Sequence, residues 1–460
     1  MSAPASSAYD SLRLRGNDLF KVARFVASID LYTQCIALDA TRWEALSNRG
    51  QAYLRQRQWK LALDDALAAL KLSPQNEKCL CTQSVALAHL FSSAEVGSSA
   101  RLQYSQLHRA TLSHGGHRHL VEKVDLPGKG IGWRAKRDIP AGVAVMHDEP
   151  IRGEVHPVDA ELQPAHLLAA VQHFLANPEL LASLSCGNNV ERARTLPQPS
   201  AVKCSPEVWV DACAKALNNC FCPVTISASG VRTCSYNYRP LSTWINHSCW
   251  ANVALQGDYV VTLAPIRAGE ELGNSYLPHT FYPPSIRAQM LKHTWGFDCK
   301  CPRCSGQVVT NADKALMDGD AELPPKMRER LHKEFDELAS TTFTSQAAVT
   351  AWLNRAEALL NCPYVGPYHY LKAQLTVELE RVWNLVELWP QQAQAIDVLT
   401  KVIHIHYELL PSLDAAKRGA FREYVRIARK TKSAAQARAD LMELDPSYAL
   451  LMEDNADSAN

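Results

Sequence analysis

Apolar positions in the first 75 residues recur at helical spacing and then recur again as a block. Gly16-Asn17 is followed 34 residues later by Gly50-Gln51, and Phe25 by Trp59. Tyr32 maps onto Ala66 at the same offset, and Leu38-Asp39-Ala40 onto Leu72-Ser73-Pro74. This spacing predicts paired helices, with Ala62, Ala66 and Ala69 small enough for close packing and Pro74 ending the second pair. A third copy begins near Glu77 and fades after about Leu90, as a capping helix would. Residues 1–10 are small and polar and are expected to be a flexible N-terminus. Between about Val121 and Glu154 the pattern turns to short strands and turns. Pro127-Gly128-Lys129-Gly130-Ile131-Gly132 is too rich in glycine for a helix, Pro140-Ala141-Gly142 reads as a turn, and Val143 to Met146 as a strand. Helical periodicity returns from Ala160 to Leu217. Residues 219–276 are short strand-like runs, with Tyr259 to Leu263 and Glu271-Leu272 as strands flanking Ala268-Gly269. Beyond about Asp313 the chain reads as helical, with Trp383, Trp389, Ile403, Ile405 and Tyr407 as its core, and residues 453–460 as a flexible tail.

Composition narrows the classes. A chain of 460 residues needs two to four domains. A net charge of +1 gives no broad basic face, so direct sequence-specific nucleic-acid binding is not expected. No apolar run reaches the ~18 residues of a membrane span, and Met1 to Asp10 lacks the core of a signal peptide. Fourteen cysteines without a secretory signal imply a reducing compartment, cytoplasmic or nuclear, in which thiols are free, metal-bound or catalytic. Arg426, Arg429, Lys430 and Lys432 form a short basic run that reads as a solvated helix face or a weak nuclear signal.

The chemistry-bearing segments follow in order. Lys129-Gly130-x-Gly132 is either a plain turn or a ligand cradle formed by close backbone approach. Asn219-Cys220-Phe221 stands at a helix-to-strand junction. Asn246-His247-Ser248-Cys249 leads into Trp250-Ala251-Asn252, and Gly269-Glu270-Glu271-Leu272 runs on to Tyr276. Cys299-x-Cys301-x-x-Cys304 places three thiols within six residues, one short of a closed tetrahedral metal site.

Together these segments resemble the catalytic end of SET-domain protein lysine methyltransferases, and the SET-and-MYND family in particular. Residues 11–112 resemble tetratricopeptide (TPR) repeats. The resemblance implies a multidomain α+β chain. Its parts would be a TPR-like arm (11–112), a SET domain (118–298) with a helical insert (about 158–217), a zinc-bound post-SET segment (299–306) and a helical C-terminal domain (313–452). It implies that Lys129, Gly130, Gly132, Asn219, Cys220, Asn246, His247, Tyr276 and Phe297 contact S-adenosylmethionine (SAM), with Tyr276 as the catalytic tyrosine. It nominates Cys249 as the fourth zinc ligand beside Cys299, Cys301 and Cys304. The proline that usually follows Cys249-x is replaced by Ala251, a Ser by Cys220, and Gly273-Asn274 is an atypical strand. Cys186, Cys204, Cys213 and Cys222 lack paired spacing, so the MYND finger is absent from this reading.

Similarity to TPR domains that clamp chaperone C-terminal carboxylates nominates Arg13, Asn17, Asn48 and Lys78 as partner-binding, with Thr82 where an arginine is usual. The implied function is SAM-dependent methylation of a protein lysine, histone or non-histone. The alternative is an inactive SET/TPR adaptor that binds chaperones or chromatin proteins.

Overall fold

The computed structural model describes residues 3–360 except 95–98, 227–231, 278–281, 283, 310–312, 314–323 and 342–344. The expected core Trp383 to Tyr407, the basic run 426–432 and the tail 453–460 lie outside the described residues. In chain order the helices are α1 (Ala3–Lys21), α2 (Phe25–Leu38), α3 (Trp43–Arg55), α4 (Trp59–Leu72), α5 (Glu77–Ser93) and α6 (Ser99–Ser113). Strands β1 (Val121–Leu126), β2 (Gly130–Ala135), β3 (Ala144–His147) and β4 (His156–Pro157) follow, then helices α7 (Pro164–Leu175), α8 (Pro178–Ser183), α9 (Val190–Arg194) and α10 (Pro206–Asn219). Next come β5 (Cys220–Phe221), β6 (Val224–Ile226), β7 (Arg232–Cys234), β8 (Asn237–Tyr238) and β9 (Asn246–His247). Strands β10 (Val253–Gln256), β11 (Tyr259–Thr262) and β12 (Gly273–Asn274) precede α11 (Pro284–Trp295), α12 (Pro325–Ser340) and α13 (Gln346–Leu360). Among the described residues the chain divides into two compact units, one built from residues up to 148 with 252–272, the other from 149–251 and 273–360.

In the first unit α1 to α4 form two antiparallel helix pairs at the expected period. A Cβ on Gly16 would come 2.6 Å from the Tyr32 ring, so only glycine lets α2 approach α1 there. Ala62, Ala66 and Ala69 are fully buried in α4. The period extends into the turns. Ala23 and Arg57, 34 residues apart, both take left-handed backbone (φ 59° and 57°) where each helix pair reverses. Helix α1 begins at Ala3, so it runs into the stretch expected to be flexible. Pro4 falls in its first turn, where a missing N–H breaks no helical bond, and Ala5 and Ala8 favour helix.

The same unit carries the β1–β2 hairpin, with Val121 opposite Ala135 and Leu126 opposite Gly130, and a sheet of order β10–β11–β3. Trp133, Val145, Met146, Val253, Val260 and Ile266 are buried in this unit, consecutive Val145 and Met146 on opposite faces of β3. Helix α6 reaches this sheet through His108, whose imidazole bonds the Ala144 carbonyl at 2.6 Å.

Burial pushes His108 down to about 4. The unfolded chain binds that proton near pH 6.5, so the contribution of His108 is intact above this value. It is lost as pH falls towards 4, by up to about 3 kcal/mol. Urea unfolding of wild type and His108→Gln between pH 7 and pH 4.5 checks this. The wild type should lose more stability on acidification than the variant, and parallel losses would remove His108 as the cause.

The second unit has its own core, built by the insert. Leu167, Val171 and Phe174 of α7 pack with Trp209, Ala212, Cys213 and Ala216 of α10 and with Tyr238. The Trp209 indole donates to the Leu196 carbonyl at 3.0 Å, which ties the loop before α10 to that core. Small sheets of order β4–β7–β6 and β5–β8 flank it. The strand expected at Glu271-Leu272 forms two residues later. Gly273 and Asn274 pair in parallel with Asn246 and His247. A Cβ on Gly273 would meet the Ser248 Cβ at 2.9 Å, so this crossing needs glycine. Glu271 instead bridges Arg134, within the first unit.

Candidate active site and metal centre

The β9–β12 pair sets the site in the second unit. It lays Asn246-His247 beside Gly273-Asn274, and the chain leaving β12 carries Tyr276 alongside the segment before β9. The Tyr276 hydroxyl donates to the Ile245 carbonyl at 2.9 Å, and its backbone N–H donates to His247 Nδ1 at 2.9 Å. A ring nitrogen that accepts from an amide is unprotonated, so Nε2 of His247 bears the hydrogen and donates to Cys249 Sγ, 3.2 Å away. Both imidazole nitrogens are therefore engaged inside the unit. A cofactor contact from His247 would come from its main chain.

Aromatic rings enclose Tyr276. The centroids of His247, Trp295 and Phe297 lie 5.3, 5.4 and 6.4 Å from its own. Helix α11 ends as it does because Gly296 takes φ 81°, its N–H bonding the Leu291 and Lys292 carbonyls at 3.1 Å. Asn188 adds to this cap by donating to the Lys292 and His293 carbonyls at 2.9 and 3.0 Å. That turn delivers Phe297 to the rings of His247 and Tyr276. Trp295 carried no motif in the sequence. Its only signal was its place two residues before Phe297.

Below the rings Cys249, Cys299, Cys301 and Cys304 bring their sulfurs within 4.8 Å of one another. A tetrahedral zinc–thiolate centre needs S···S separations of about 3.8 Å, from Zn–S bonds of ~2.3 Å, and Cys304 already lies 3.5 Å from Cys249. The donor set fits a closed four-thiolate site, and no other such cluster occurs among the described residues. Mutual hydrogen bonding splits the thiols. The bond with Cys249 pulls Cys299 well below an ordinary thiol and holds Cys301 down at about 5, while Cys249, bonded to Cys299, is pushed up. A divalent ion bound here would hold the four as thiolates.

Asn219 caps α10. Its carboxamide donates to the Ser185 and Lys215 carbonyls at 2.7 and 2.8 Å, so a cofactor contact from it too would be through the main chain. Cys220, next to it, is half-buried, and desolvation pushes its thiol far up, so it stays neutral. Asn246 is half-buried at the start of β9. Lys129, Gly130 and Gly132 stand on the hairpin of the first unit. Gly128 and Gly130 take φ 71° and 73° in its turn, and Lys129 pairs with Glu271 at 2.5 Å. Asn252 fastens the same segment by donating to the Glu271 carbonyl at 2.8 Å.

The helical arm brings three of its nominated residues into one line. Asn48 donates to Asn17 Oδ1 at 2.9 Å and accepts from Lys78 Nζ at 2.5 Å, and the Tyr32 hydroxyl also bonds Asn17. Desolvation lowers the Lys78 pKa although the side chain as a whole is exposed. Arg13 is spent on Asp10, 3.4 Å away within its own helix. Thr82 is buried, accepting from Gln51 at 2.6 Å, and supplies nothing in place of a cation.

Comparison with known proteins agrees with both parts. The SET domain family model matches residues 130–277 and the tetratricopeptide repeat model matches 43–76. Among curated proteins, tetratricopeptide repeat protein 28 of Mus musculus is 39% identical over 66 residues, 14% of this chain and 3% of that protein. A SET and MYND domain-containing protein of Dictyostelium discoideum is 38% identical over 71 residues, 15% of this chain and 18% of that protein. A SET domain-containing protein of Acanthamoeba polyphaga mimivirus is 38% identical over 65 residues, 13% of this chain and 25% of that protein. The chain thus spans a quarter or less of the curated relatives it matches. No described helix is long and apolar enough to cross a membrane. Both models thus match where the sequence led one to expect them, the tetratricopeptide repeat within 11–112 and the SET domain within 118–298.

Proposed function

We propose that the chain is a SAM-dependent protein lysine N-methyltransferase whose repeat arm recruits the substrate or a partner protein. The observation that carries this reading is the Tyr276 hydroxyl, fixed on the Ile245 carbonyl and walled by His247, Trp295 and Phe297. A lysine must lose its proton before its nitrogen can attack a methyl group. Aromatic walls strip water from an ammonium and lower its pKa. The phenol oxygen, oriented by its own donated bond, keeps lone pairs with which to accept from the amine and align it, and positioning of this kind supplies much of the rate. The ring faces also attract the methylammonium product. SAM would supply the sulfonium methyl group, with Asn246, the His247 main chain and Phe297 as its nearest candidates in the second unit. Zinc, held by the four cysteines, would be structural, since a closed thiolate site leaves no open position for chemistry.

Two measurements on the purified chain test the reading. Calorimetry should detect SAM binding, and labelled SAM should transfer methyl groups to lysines of proteins in a cell extract. A chain that binds no SAM would overturn the enzyme reading in favour of an adaptor.

For the arm, the line of Asn17, Asn48 and Lys78 supports capture of a peptide that ends in carboxylates, as at the C-terminus of a cytosolic heat-shock chaperone. An incoming carboxylate would replace the Asn48 carbonyl on Lys78 with a charged acceptor. Replacing Lys78 by alanine should weaken a chaperone C-terminal peptide by about tenfold or more in fluorescence anisotropy. A wild type that binds no such peptide ends this part of the proposal.

A further inference from the structure

Three charged residues that no motif includes are bonded to one another between α11 and the cysteine loop. Arg287 lies on α11 one turn before Leu291, which packs against Cys249. Its side chain is 0% exposed. Nη1 donates to Asp313 Oδ1 at 3.0 Å and to the Tyr282 carbonyl at 2.6 Å. Arg303, between Cys301 and Cys304, is equally buried and donates to both oxygens of Asp313 at 2.7 Å. Two guanidinium groups therefore share one carboxylate. Nε and Nη2 of Arg287 have no acceptor at all. Buried donors are almost always paired, so two orphans on one guanidinium call for an acceptor of high charge.

The cysteine centre, packed against the same helix through Leu291, is the candidate. Four thiolates around a divalent ion carry a net charge of −2, which is costly in an apolar cluster. Burial works against the charge of Arg287, while Asp313, Cys249 and Cys304 favour it. We propose that Arg287 is the counter-charge of the metal–thiolate centre, its free guanidinium face turned to the sulfurs, while Nη1 alone is committed to Asp313 and the Tyr282 carbonyl. With His247 donating to Cys249, the centre then receives positive field from α11 and a hydrogen bond from β9. Arg303 also lets the ligand loop carry its own neutralising charge. The inference rests on the reading of the four cysteines as a metal site.

The full-length protein is loaded with zinc, and ion content and the rate of zinc transfer to excess chelator are measured for the wild type, Arg287→Gln, Arg287→Lys and Asp313→Asn. Wild type and Arg287→Lys should hold one ion per chain and release it at rates within about threefold of each other. Arg287→Gln should release zinc at least tenfold faster, and its cobalt(II) derivative should show a thiolate charge-transfer band at longer wavelength. Asp313→Asn keeps both cations, so its release should be no faster than wild type. A brace with no electrostatic role would make Arg287→Gln and Asp313→Asn release alike, and that result overturns the proposal. So does Arg287→Gln release at the wild-type rate. Should Arg287→Gln not fold, the Arg287 Nε–H nitrogen resonance of the wild type is followed instead: it should move when zinc is loaded, and a resonance that does not move overturns the proposal. A wild type that holds no zinc overturns the metal centre itself, a separate failure.

Discussion

Tyr276→Phe will lower methyl transfer by about 10²-fold to 10³-fold, the range seen when one oriented polar group is removed from a preorganised site. It will leave SAM affinity within about threefold. The hydroxyl is the only atom removed, and the ring keeps its packing against His247, Trp295 and Phe297. The Ile245 carbonyl loses a donor, a cost of about 1 kcal/mol in stability, too small to unfold the unit. Single-turnover transfer with wild type and variant, alongside calorimetric binding of SAM, separates the chemical step from binding. Undiminished transfer in the variant would remove Tyr276 from the reaction.

The second large effect is on the metal. Elemental analysis should find about one zinc per chain, and Cys249→Ser with Cys301→Ser should abolish it. Structural zinc contributes about 10 kcal/mol or more to small domains that depend on it. The loss should therefore release the segment from α11 to Cys304. Amide exchange across 284–306 should rise by orders of magnitude, and methyl transfer should fall with it, because Phe297 and Trp295 are placed by that segment. Retention of zinc in the double variant would refute the site.

The helix pairs were legible because their period is long and repeated. Gly16 and Gly50 marked the offset, and at Gly16 the structure makes a close helix approach. The left-handed turns at Ala23 and Arg57 were not, since neither residue type signals that conformation. In the site, Asn246, His247 and Tyr276 stood out as a motif, but the sequence could not say that the His247 imidazole faces Cys249 and the Tyr276 amide. That follows from a two-residue parallel pairing whose strand falls on Gly273, a residue that strand propensity disfavours. Cys249 entered through resemblance, because spacing alone yields three thiols. Arg287, Arg303 and Asp313 were unreadable. Charged residues in a polar stretch look solvated, and only the fold shows all three to be buried.

The division of the chain bears on synthesis. Strand β3, complete at His147, takes its neighbour from Tyr259–Thr262, and the intervening hundred or so residues belong to the other unit. A nascent chain that has emerged only to residue 148 therefore presents an unpaired strand edge. The N-terminal helix pairs can form as they emerge, but the sheet beside them must wait until residue 272 has cleared the ribosome. An N-terminal fragment cut at the apparent boundary near residue 148 would inherit that open edge permanently, so aggregation, rather than a clean half-protein, is its expected fate.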